Sequence, residues 1–349
     1  MNYIELNDKM NNLVELHLHL DGALSVDNCK KIAKIQNIDL PSDDEISKMM
    51  IISDCSNNLN SFLDKFEFPL SLLQTCEGIK NAVKNLQEEL IEQGIIYAEI
   101  RFAPQLHLRK GLNQDEVVRA AIDGLNLSKL RSNLILCCMR GNNNHDKNIE
   151  TVKIAKKYLG KGVSAIDLAG DETLYPTLDF EDIFMYAKEL GVPFTIHAGE
   201  ADGPSSVYDA IRFGAKRIGH GVRSIEDSDL IKMIIDKGII LEICPTSNIC
   251  TSVYKKISDI PIKYFIDNGI NVTINTDDPI ICNTNLKEEL KLVATAFNLT
   301  YEDIFKLQLN AINASFASEK VKKEVTKAIK GNQNIRWLNW VGGKHVRLS

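Results

Sequence analysis

Eight short, nearly continuous runs of apolar residues recur along this chain, and amphipathic stretches with helical periodicity lie between them. Parallel strands that helices cover on both sides have this apolar character. The alternation predicts an α/β protein with a (β/α)8 TIM barrel, and a doubly wound open sheet is the competing architecture. No Gly-x-Gly-x-x-Gly motif follows a predicted strand, which weakens that alternative. The predicted strands are residues 13–18, 95–102, 134–139, 163–168, 194–196, 217–218, 239–243 and 272–274.

The connection between the first two predicted strands is unusually long. It contains two helical patterns, over residues 42–50 and 59–73. We interpret the segment from about 42 to 75 as a helical insertion over the mouth of the barrel, and not as a separate domain. No linker rich in Pro, Gly or Ser interrupts the chain, so residues 1–349 are predicted to form one domain.

Composition and charge exclude several functional classes. The 349 residues carry a formal net charge of −6 without a basic patch, which argues against a nucleic-acid partner. No apolar run approaches the ~20 residues of a membrane span, and the first twelve residues lack the apolar core of a signal peptide. None of the eight cysteines forms a Cys-x-x-Cys pair. These features together predict a cytoplasmic protein with reduced thiols.

Histidines and acidic residues follow five of the apolar runs, at the points where the predicted strands end. Taken singly, each has a plainer interpretation as a cap, a core residue or a turn. Because the carboxyl ends of barrel strands meet at one mouth, however, the motifs together predict an active site. The motifs are His17-Leu18-His19-Leu20-Asp21, Asp167-Leu168-Ala169-Gly170-Asp171-Glu172, His197-Ala198-Gly199-Glu200, Gly219-His220-Gly221 and Asn275-Thr276-Asp277-Asp278-Pro279.

Three imidazoles and one carboxylate in these motifs form a candidate metal site: His17, His19, His197 and Asp277. Zinc favours such nitrogen and oxygen donors, and catalytic zinc sites keep one position for water. The fourth predicted strand has no lysine that could bridge a second ion, so one Zn²⁺ per chain is predicted. Iron stays an alternative, because similar donor sets bind both metals.

The other polar residues of the motifs suit attack by water on a substrate. Zinc lowers the pKa of bound water from 15.7 to roughly 7. His220 is a candidate to orient the water and take its proton, and Glu200 is a candidate to protonate the atom that gains electrons. Glu200 needs a raised pKa for this role, which burial provides. Asp278 and the backbone N–H of Gly170 are candidates for binding substrate.

In order and spacing, these residues resemble the adenosine deaminase family, over about residues 11–325. Members of that family are metal-dependent (β/α)8 barrels. They convert adenosine or 2′-deoxyadenosine, with water, to inosine or 2′-deoxyinosine and ammonia. The resemblance therefore implies a hydrolase that acts on a small nucleoside. Besides the five motifs, it rests on Glu15-Leu16, Gly22-Ala23-Leu24, Phe62-Leu63-Asp64-Lys65-Phe66 and Cys244-Pro245-Thr246-Ser247-Asn248.

The resemblance also implies a role for each candidate residue. It assigns zinc to the four candidate ligands. Glu200 matches the proton donor to purine N1, and His220 matches the residue that orients and deprotonates the water. In the substrate site it places the Gly170 N–H at purine N3, Asp278 at N7, and Asp21 with His19 at the ribose.

Three other functions remain open on the same scaffold: deamination of adenine or another 6-aminopurine, hydrolysis of an amide or ester, and binding without catalysis. Asp21 favours a nucleoside, because its carboxylate can accept hydrogen bonds from ribose hydroxyls. Glu200, three residues after a metal ligand, suits protonation of a ring and disfavours the amide hydrolase. The complete set of candidate catalytic residues disfavours an inactive binding protein. The sequence leaves the oligomeric state open.

The insertion carries an apolar helical face, formed by Leu59, Phe62, Leu63 and Phe66 at spacing i, i+3, i+4 and i+7. By spacing alone, this face is best explained by packing on the barrel. The family resemblance instead favours a lid that covers the nucleoside and excludes water.

Overall fold

The computed structural model describes residues 10–52, 62 and 64–340, the last nine of these as helical backbone. Eight parallel strands lie in sequence order in two sheets, β1-β2-β3-β4 and β5-β6-β7-β8. All eight predicted strands are confirmed. β3 and β6 extend beyond their predicted limits, because their added residues are mostly polar or Gly and carry no apolar signal. The strands are β1 Leu13–His19, β2 Ile95–Phe102, β3 Arg131–Met139, β4 Val163–Ala169, β5 Thr195–Ala198, β6 Arg217–His220, β7 Ile240–Ile243 and β8 Asn271–Ile274.

Backbone hydrogen bonds join the two sheets at both of their edges. Between β4 and β5, the N–H of Ile166 donates to the carbonyl of Pro193 at 3.0 Å. Between β8 and β1, the N–H of Asp277 donates to His17 at 2.8 Å, and the N–H of His19 donates to Asp277 at 2.8 Å. These bonds close the sheets into a barrel, so the predicted (β/α)8 fold is confirmed.

Helices separate the strands, and their apolar faces cover the outside of the barrel. In α4, Ile79, Val83, Leu86 and Leu90 share one buried face at helical spacing, and the Thr75 hydroxyl caps the helix by accepting from the N–H of Gly78 at 3.0 Å. Across the described ranges, no helix is both long and apolar enough for a membrane span. The helices are α1 Val26–Gln36, α2 Asp43–Met50, α3 Glu67–Leu72, α4 Cys76–Glu92, α5 Gln114–Leu125, α6 His145–Tyr158, α7 Glu181–Glu189, α8 Pro204–Phe213, α9 Ser228–Lys237, α10 Pro245–Cys250, α11 Ile262–Asp267, α12 Leu286–Phe297, α13 Tyr301–Ala314 and α14 Glu319–Trp340.

The long insertion after β1 contains α2 and α3, which confirms the first helical pattern and the part of the second that is described. Phe62 is buried, with its ring centroid 5.8 Å from that of Phe66. Both pack in a cluster with Cys250 of α10 and with Ile281 and Cys282 of the loop after β8. This part of the predicted apolar face therefore covers loops at the mouth of the barrel. Leu59 and Leu63 lie outside the described residues.

The interior of the barrel contains a buried ionic network below the mouth. Arg101 of β2 pairs with Asp167 and Glu242, each at 2.8 Å, and Arg217 of β6 pairs with Glu99 and Glu242, each at 2.5 Å. All five side chains are at most 1% exposed. Buried ion pairs of this kind are costly to break, because removing one partner leaves an uncompensated charge.

A bulge in β1 adds a backbone acceptor to this interior. The register between β1 and β2 shifts between Glu15 and Leu18. The Leu16 carbonyl accepts from Arg101 at 2.8 Å and from Arg217 at 3.3 Å. The N–H of His17 donates to the Glu15 carboxylate at 3.1 Å. The irregularity thus connects the strand that carries two candidate metal ligands to the ionic network.

Candidate active site

Four donor atoms converge at the mouth of the barrel, from the ends of β1 and β5 and from the turn after β8. Nε2 of His197 lies 3.0 Å from Nε2 of His17 and 3.3 Å from Nε2 of His19. Oδ1 of Asp277 lies 3.1 Å from Nε2 of His17 and 3.2 Å from Nε2 of His19. Donors about 2.0–2.1 Å from a tetrahedral ion lie about 3.3–3.4 Å apart, so this set fits a metal ion. The structure brings all four predicted ligands together.

Buried carboxylates hold the other nitrogens of two of these histidines. Nδ1 of His17 lies 2.9 Å from Glu242, and Nδ1 of His197 lies 2.8 Å from Asp167. Burial alone would raise the pKa of Asp167, but its interactions with His197 and Arg101 hold it below its ordinary value. Partners of this type orient metal-binding imidazoles and raise their basicity. Both rings thus present Nε2 to the donor cluster.

The imidazole of His197 is neutral in this environment. Burial, with the charges of His17 and His220 acting the same way, lowers the pKa of His197 to about 3, although Asp167 opposes the shift. Metal binding requires the neutral form of histidine. Asp277, the fourth candidate ligand, is also held by a hydrogen bond, because the Ser247 hydroxyl donates to its Oδ2 at 2.7 Å.

Glu200 lies in the loop after β5, beside the metal donors. Its Oε2 is 3.6 Å from Nε2 of His220, and its Oε1 accepts from the Thr251 hydroxyl at 3.2 Å. Burial raises the pKa of Glu200 to about 8, and the charges of Asp277 and Glu172 add to the rise. The side chain therefore holds a proton at neutral pH, which a general acid needs.

His220 ends β6 and faces both Glu200 and Asp277. Its Nε2 lies 3.8 Å from Oδ2 of Asp277 and, although buried, has no hydrogen-bond partner among the described residues. Its Nδ1 lies 3.1 Å from the side-chain amide of Asn248. His220 and Asp277 both have left-handed backbone angles, with φ of 60° and 63°. Such strained conformations concentrate at active sites, where they aim side chains.

The remaining predicted residues surround this cluster. Asp278 and Asp21 are 4% and 6% exposed, and burial raises the pKa of Asp278 well above its ordinary value, with Asp277 and Asp21 adding to the rise. Oδ1 of Asp278 has no hydrogen-bond partner within the described part of the chain. Gly22 makes room for it, because a Cβ there would lie 1.8 Å from that oxygen. Gly170 follows β4 and is exposed at the same mouth, next to Arg140.

Several residues that hold the site were not assigned a function from the sequence. Arg101 and Glu242 support the histidines, Ser247 and Asn248 contact Asp277 and His220, and Glu172 binds the loop that carries Glu200. One signal was present for the first two, because both are charged residues inside apolar strands: β2 has only Glu99 and Arg101, and β7 has only Glu242. A charged side chain in a strand that is buried on both faces needs a partner, so such a residue can be recognised from the sequence as a candidate for a supporting role.

The arrangement of helices and strands recurs in solved structures. An adenine deaminase from Arthrobacter aurescens superposes with a TM-score of 0.83 and 25% identity, covering 95% of this chain and all of that one. An amidohydrolase from Burkholderia ambifaria, solved with bound Zn, superposes with a TM-score of 0.82 and 19% identity, over 95% of this chain and 93% of that one.

Sequence comparison identifies the family to which the chain is related. An adenosine deaminase of Haemophilus ducreyi is 45% identical over 322 residues, which cover 89% of this chain and 93% of that protein. The family model described as adenosine deaminase matches residues 12–332, a span that includes every predicted site residue. The chain belongs to the adenosine deaminase family.

Proposed function

We propose that the protein catalyses the hydrolytic deamination of adenosine and 2′-deoxyadenosine to inosine and 2′-deoxyinosine, with release of ammonia. One observation carries the proposal. The Glu200 carboxyl, whose pKa burial raises to about 8, lies beside the metal donor set, 3.6 Å from Nε2 of His220, which has no hydrogen-bond partner among the described residues. At this separation, an acid can protonate a ring nitrogen while a base takes the proton of a water that attacks the neighbouring carbon.

We infer that the metal is a single zinc ion, held by His17, His19, His197 and Asp277. Neutral imidazoles with one carboxylate are a donor set that zinc prefers, and no cysteine belongs to this set. The ion supplies Lewis-acid chemistry and lowers the pKa of water at the site. The zinc reported in the Burkholderia amidohydrolase of the same fold supports this choice.

His220 acts as the base toward the attacking water. Its Nε2 can accept a proton when Nδ1 carries the ring hydrogen and the Asn248 amide oxygen accepts that hydrogen. Rotation of the amide about its last bond brings the oxygen to the position 3.1 Å from Nδ1. Burial lowers the pKa of His220, which keeps the ring neutral and able to accept.

Glu200 supplies the proton that the purine ring needs. Water adds its oxygen to C6, the electron pair moves to N1, and the carboxyl of Glu200 delivers its proton there. The leaving nitrogen then takes the proton that His220 removed from the water, and the C6–N6 bond breaks to release ammonia. As the C6 carbonyl forms, the remaining hydroxyl proton returns to Glu200. The left-handed φ of His220 and the loop of Glu200 place the two groups before the substrate arrives.

The substrate contacts follow from the groups that surround this pair. The backbone N–H of Gly170 is assigned to N3. Asp278 is assigned to N7, which only accepts hydrogen bonds, so Asp278 must donate. Burial and the neighbouring carboxylates raise the pKa of Asp278, which favours the protonated form that this contact needs. Asp21 and His19 are assigned to the ribose hydroxyls.

Adenine deamination is the second candidate, because the Arthrobacter aurescens structure of the same fold is an adenine deaminase. Steady-state assays with adenosine, 2′-deoxyadenosine, adenine and methylthioadenosine separate the two functions. We expect kcat/KM for both adenosine and 2′-deoxyadenosine to exceed that for adenine by a large factor. A higher kcat/KM for adenine, or no turnover of adenosine by protein loaded with zinc, would contradict the proposal.

A further inference from the structure

Glu172, in the loop after β4, accepts an unusual number of hydrogen bonds. The side chain is buried, and no step of the proposed reaction has been assigned to it. Its Oε2 accepts the backbone N–H groups of Glu200, Ala201 and Asp202 at 3.0, 2.8 and 3.0 Å. Its Oε1 accepts the N–H of Gly199 at 2.7 Å and the Ser206 hydroxyl at 2.5 Å. Five donors therefore converge on one carboxylate.

The four backbone donors belong to consecutive residues, 199–202, and Glu200 is one of them. This segment lies between β5 and α8, so neither the sheet nor a helix fixes its shape. Its first residue, Gly199, has a φ of 67°, and a Cβ there would lie 2.5 Å from Cγ2 of Val207. Successive N–H groups that point to one spot need an anion, since donors left unpaired in a buried site cost free energy.

A second layer of contacts ties this carboxylate to the rest of the barrel. The Ser206 hydroxyl also lies 2.6 Å from the Thr177 hydroxyl. The Arg140 guanidinium donates to Thr177 at 2.9 Å and to the carbonyl of His197 at 2.6 Å. The loop that carries Glu200 is thus held from β4 and α8 at the same time, which limits its freedom to move.

We propose that Glu172 is a positioning residue, whose carboxylate fixes the loop of residues 199–202 so that Glu200 faces the substrate. The inference rests on the proposed function, in which Glu200 is the proton donor. Glu172 touches no reacting atom, and we expect its main effect on turnover to pass through the position of Glu200. The negative charge of Glu172 also contributes, after burial and Asp277, to the raised pKa of Glu200.

The central experiment is a double-mutant cycle between Glu172→Gln and Glu200→Gln, measured as kcat and KM for adenosine. Glutamine keeps the size of Glu172 but turns one acceptor oxygen into a donor that faces other donors. We expect kcat to fall about 10²-fold, the loss that a misplacement of about 1 Å can cause. KM should stay within about threefold, because Glu172 itself is assigned no contact with the substrate.

In the Glu200→Gln background, Glu172→Gln should lower kcat by less than about threefold, because the group that it positions can no longer deliver a proton. If kcat of the double variant falls by the product of the losses in the two single variants, the inference is wrong. A wild-type kcat in Glu172→Gln would also overturn it. Near-normal turnover by Glu200→Gln would instead overturn the proposed role of Glu200, so the two failures are distinguishable. Metal content, measured by elemental analysis, should be the same in all variants.

The hydrogen-exchange rates of the loop amides test the inference independently of activity. The amides of residues 199–202 should exchange at least tenfold faster in Glu172→Gln than in the wild type, and unchanged rates would overturn the inference. Ser206→Ala removes one of the five bonds and serves if Glu172→Gln does not fold. It should lower kcat about fivefold, and only when Glu200 is present.

A matched control is Glu89→Gln. Glu89 is a half-buried carboxylate of α4 that accepts from the Ser25 hydroxyl at 2.6 Å, far from the loop. This variant should leave kcat and the exchange of residues 199–202 unchanged. A loss of kcat equal to that of Glu172→Gln would mean that any such change lowers activity, and would count against a specific role for Glu172.

Discussion

Oδ2 of Asp167 lies 2.8 Å from Nδ1 of His197, and this contact leaves Nε2 of the same ring facing the metal donors. Arg101 donates to the same oxygen of Asp167, also at 2.8 Å, and joins it to Glu242 behind His17. The orientation of two candidate ligands therefore depends on one buried guanidinium between two carboxylates. A ligand set arranged this way needs little rearrangement to bind an ion.

We expect Asp167→Asn to weaken metal binding by about 10–100-fold, the usual cost of losing such a partner. The neutral amide cannot stabilise the positive charge that the ring gains on binding a cation. Competition with a chelator of known affinity measures the change. The control is Asp182→Asn, since Asp182 pairs with the exposed His145 at 2.6 Å, away from the site. Equal metal affinity in both variants would contradict the role of Asp167.

Glu200→Gln should lower kcat for adenosine by about 10²–10⁴-fold while metal content stays normal. The amide keeps the shape of the side chain but has no proton to deliver. Steady-state kinetics together with elemental analysis test this expectation. A variant replete with metal that retains near-normal kcat would show that the proton comes from elsewhere.

The activity of the wild type should also depend on the proton of Glu200. Because its pKa is raised to about 8, the proton is present below that pH and is lost above it. A bound cation favours the carboxylate, so kcat/KM should decline on the alkaline side at or below about pH 8. A profile that stays flat up to pH 10 would argue against this acid.

Phe62→Ala tests whether the insertion acts as a lid. We expect KM for adenosine to rise clearly and Tm to fall only slightly, because the ring covers the loops after β7 and β8 at the mouth. The control is Phe265→Ala in α11, a fully buried ring away from the mouth, which should lower Tm and leave KM unchanged. If Phe62→Ala behaves like this control, the ring is part of the core and not of a lid.

Asp21→Ala should reduce kcat/KM for adenosine without changing metal content. Its carboxylate is assigned to the ribose hydroxyls, so the variant should lose discrimination between adenosine and adenine. Asp27→Ala is the control, since Asp27 is an exposed residue of α1 that pairs with Lys31 at 2.7 Å. Unchanged discrimination in Asp21→Ala would remove Asp21 from the substrate site.

The sequence predicted the barrel because parallel strands covered by helices are apolar throughout, and this signal needs no knowledge of distant contacts. It also predicted which strand ends carry the site, since those ends meet wherever a barrel closes. The four predicted ligands do lie together. The roles assigned to Glu200, His220, Gly170, Asp278 and Asp21 stay predictions until the variants are measured.

The supporting residues were harder to predict, because their function lies in contacts between segments that are remote in sequence. Glu172 resembles any acidic loop residue until the N–H groups of residues 199–202 are seen to converge on it. Arg101 and Glu242 are charged residues in otherwise largely apolar strands, and the sequence does not say which partner neutralises which charge. The bulge in β1 has no turn residue to mark it.

The closing bonds of the barrel involve the same residues as the candidate metal site. His17 and His19 of the first strand exchange backbone hydrogen bonds with Asp277, which lies three residues after the end of the last strand. An ion held by the side chains of these three residues would therefore add metal–ligand bonds to the backbone hydrogen bonds that join the beginning of the barrel to its end. Removal of such an ion should weaken the junction between β8 and β1, so that a cofactor bound for chemistry would also stabilise the closed barrel.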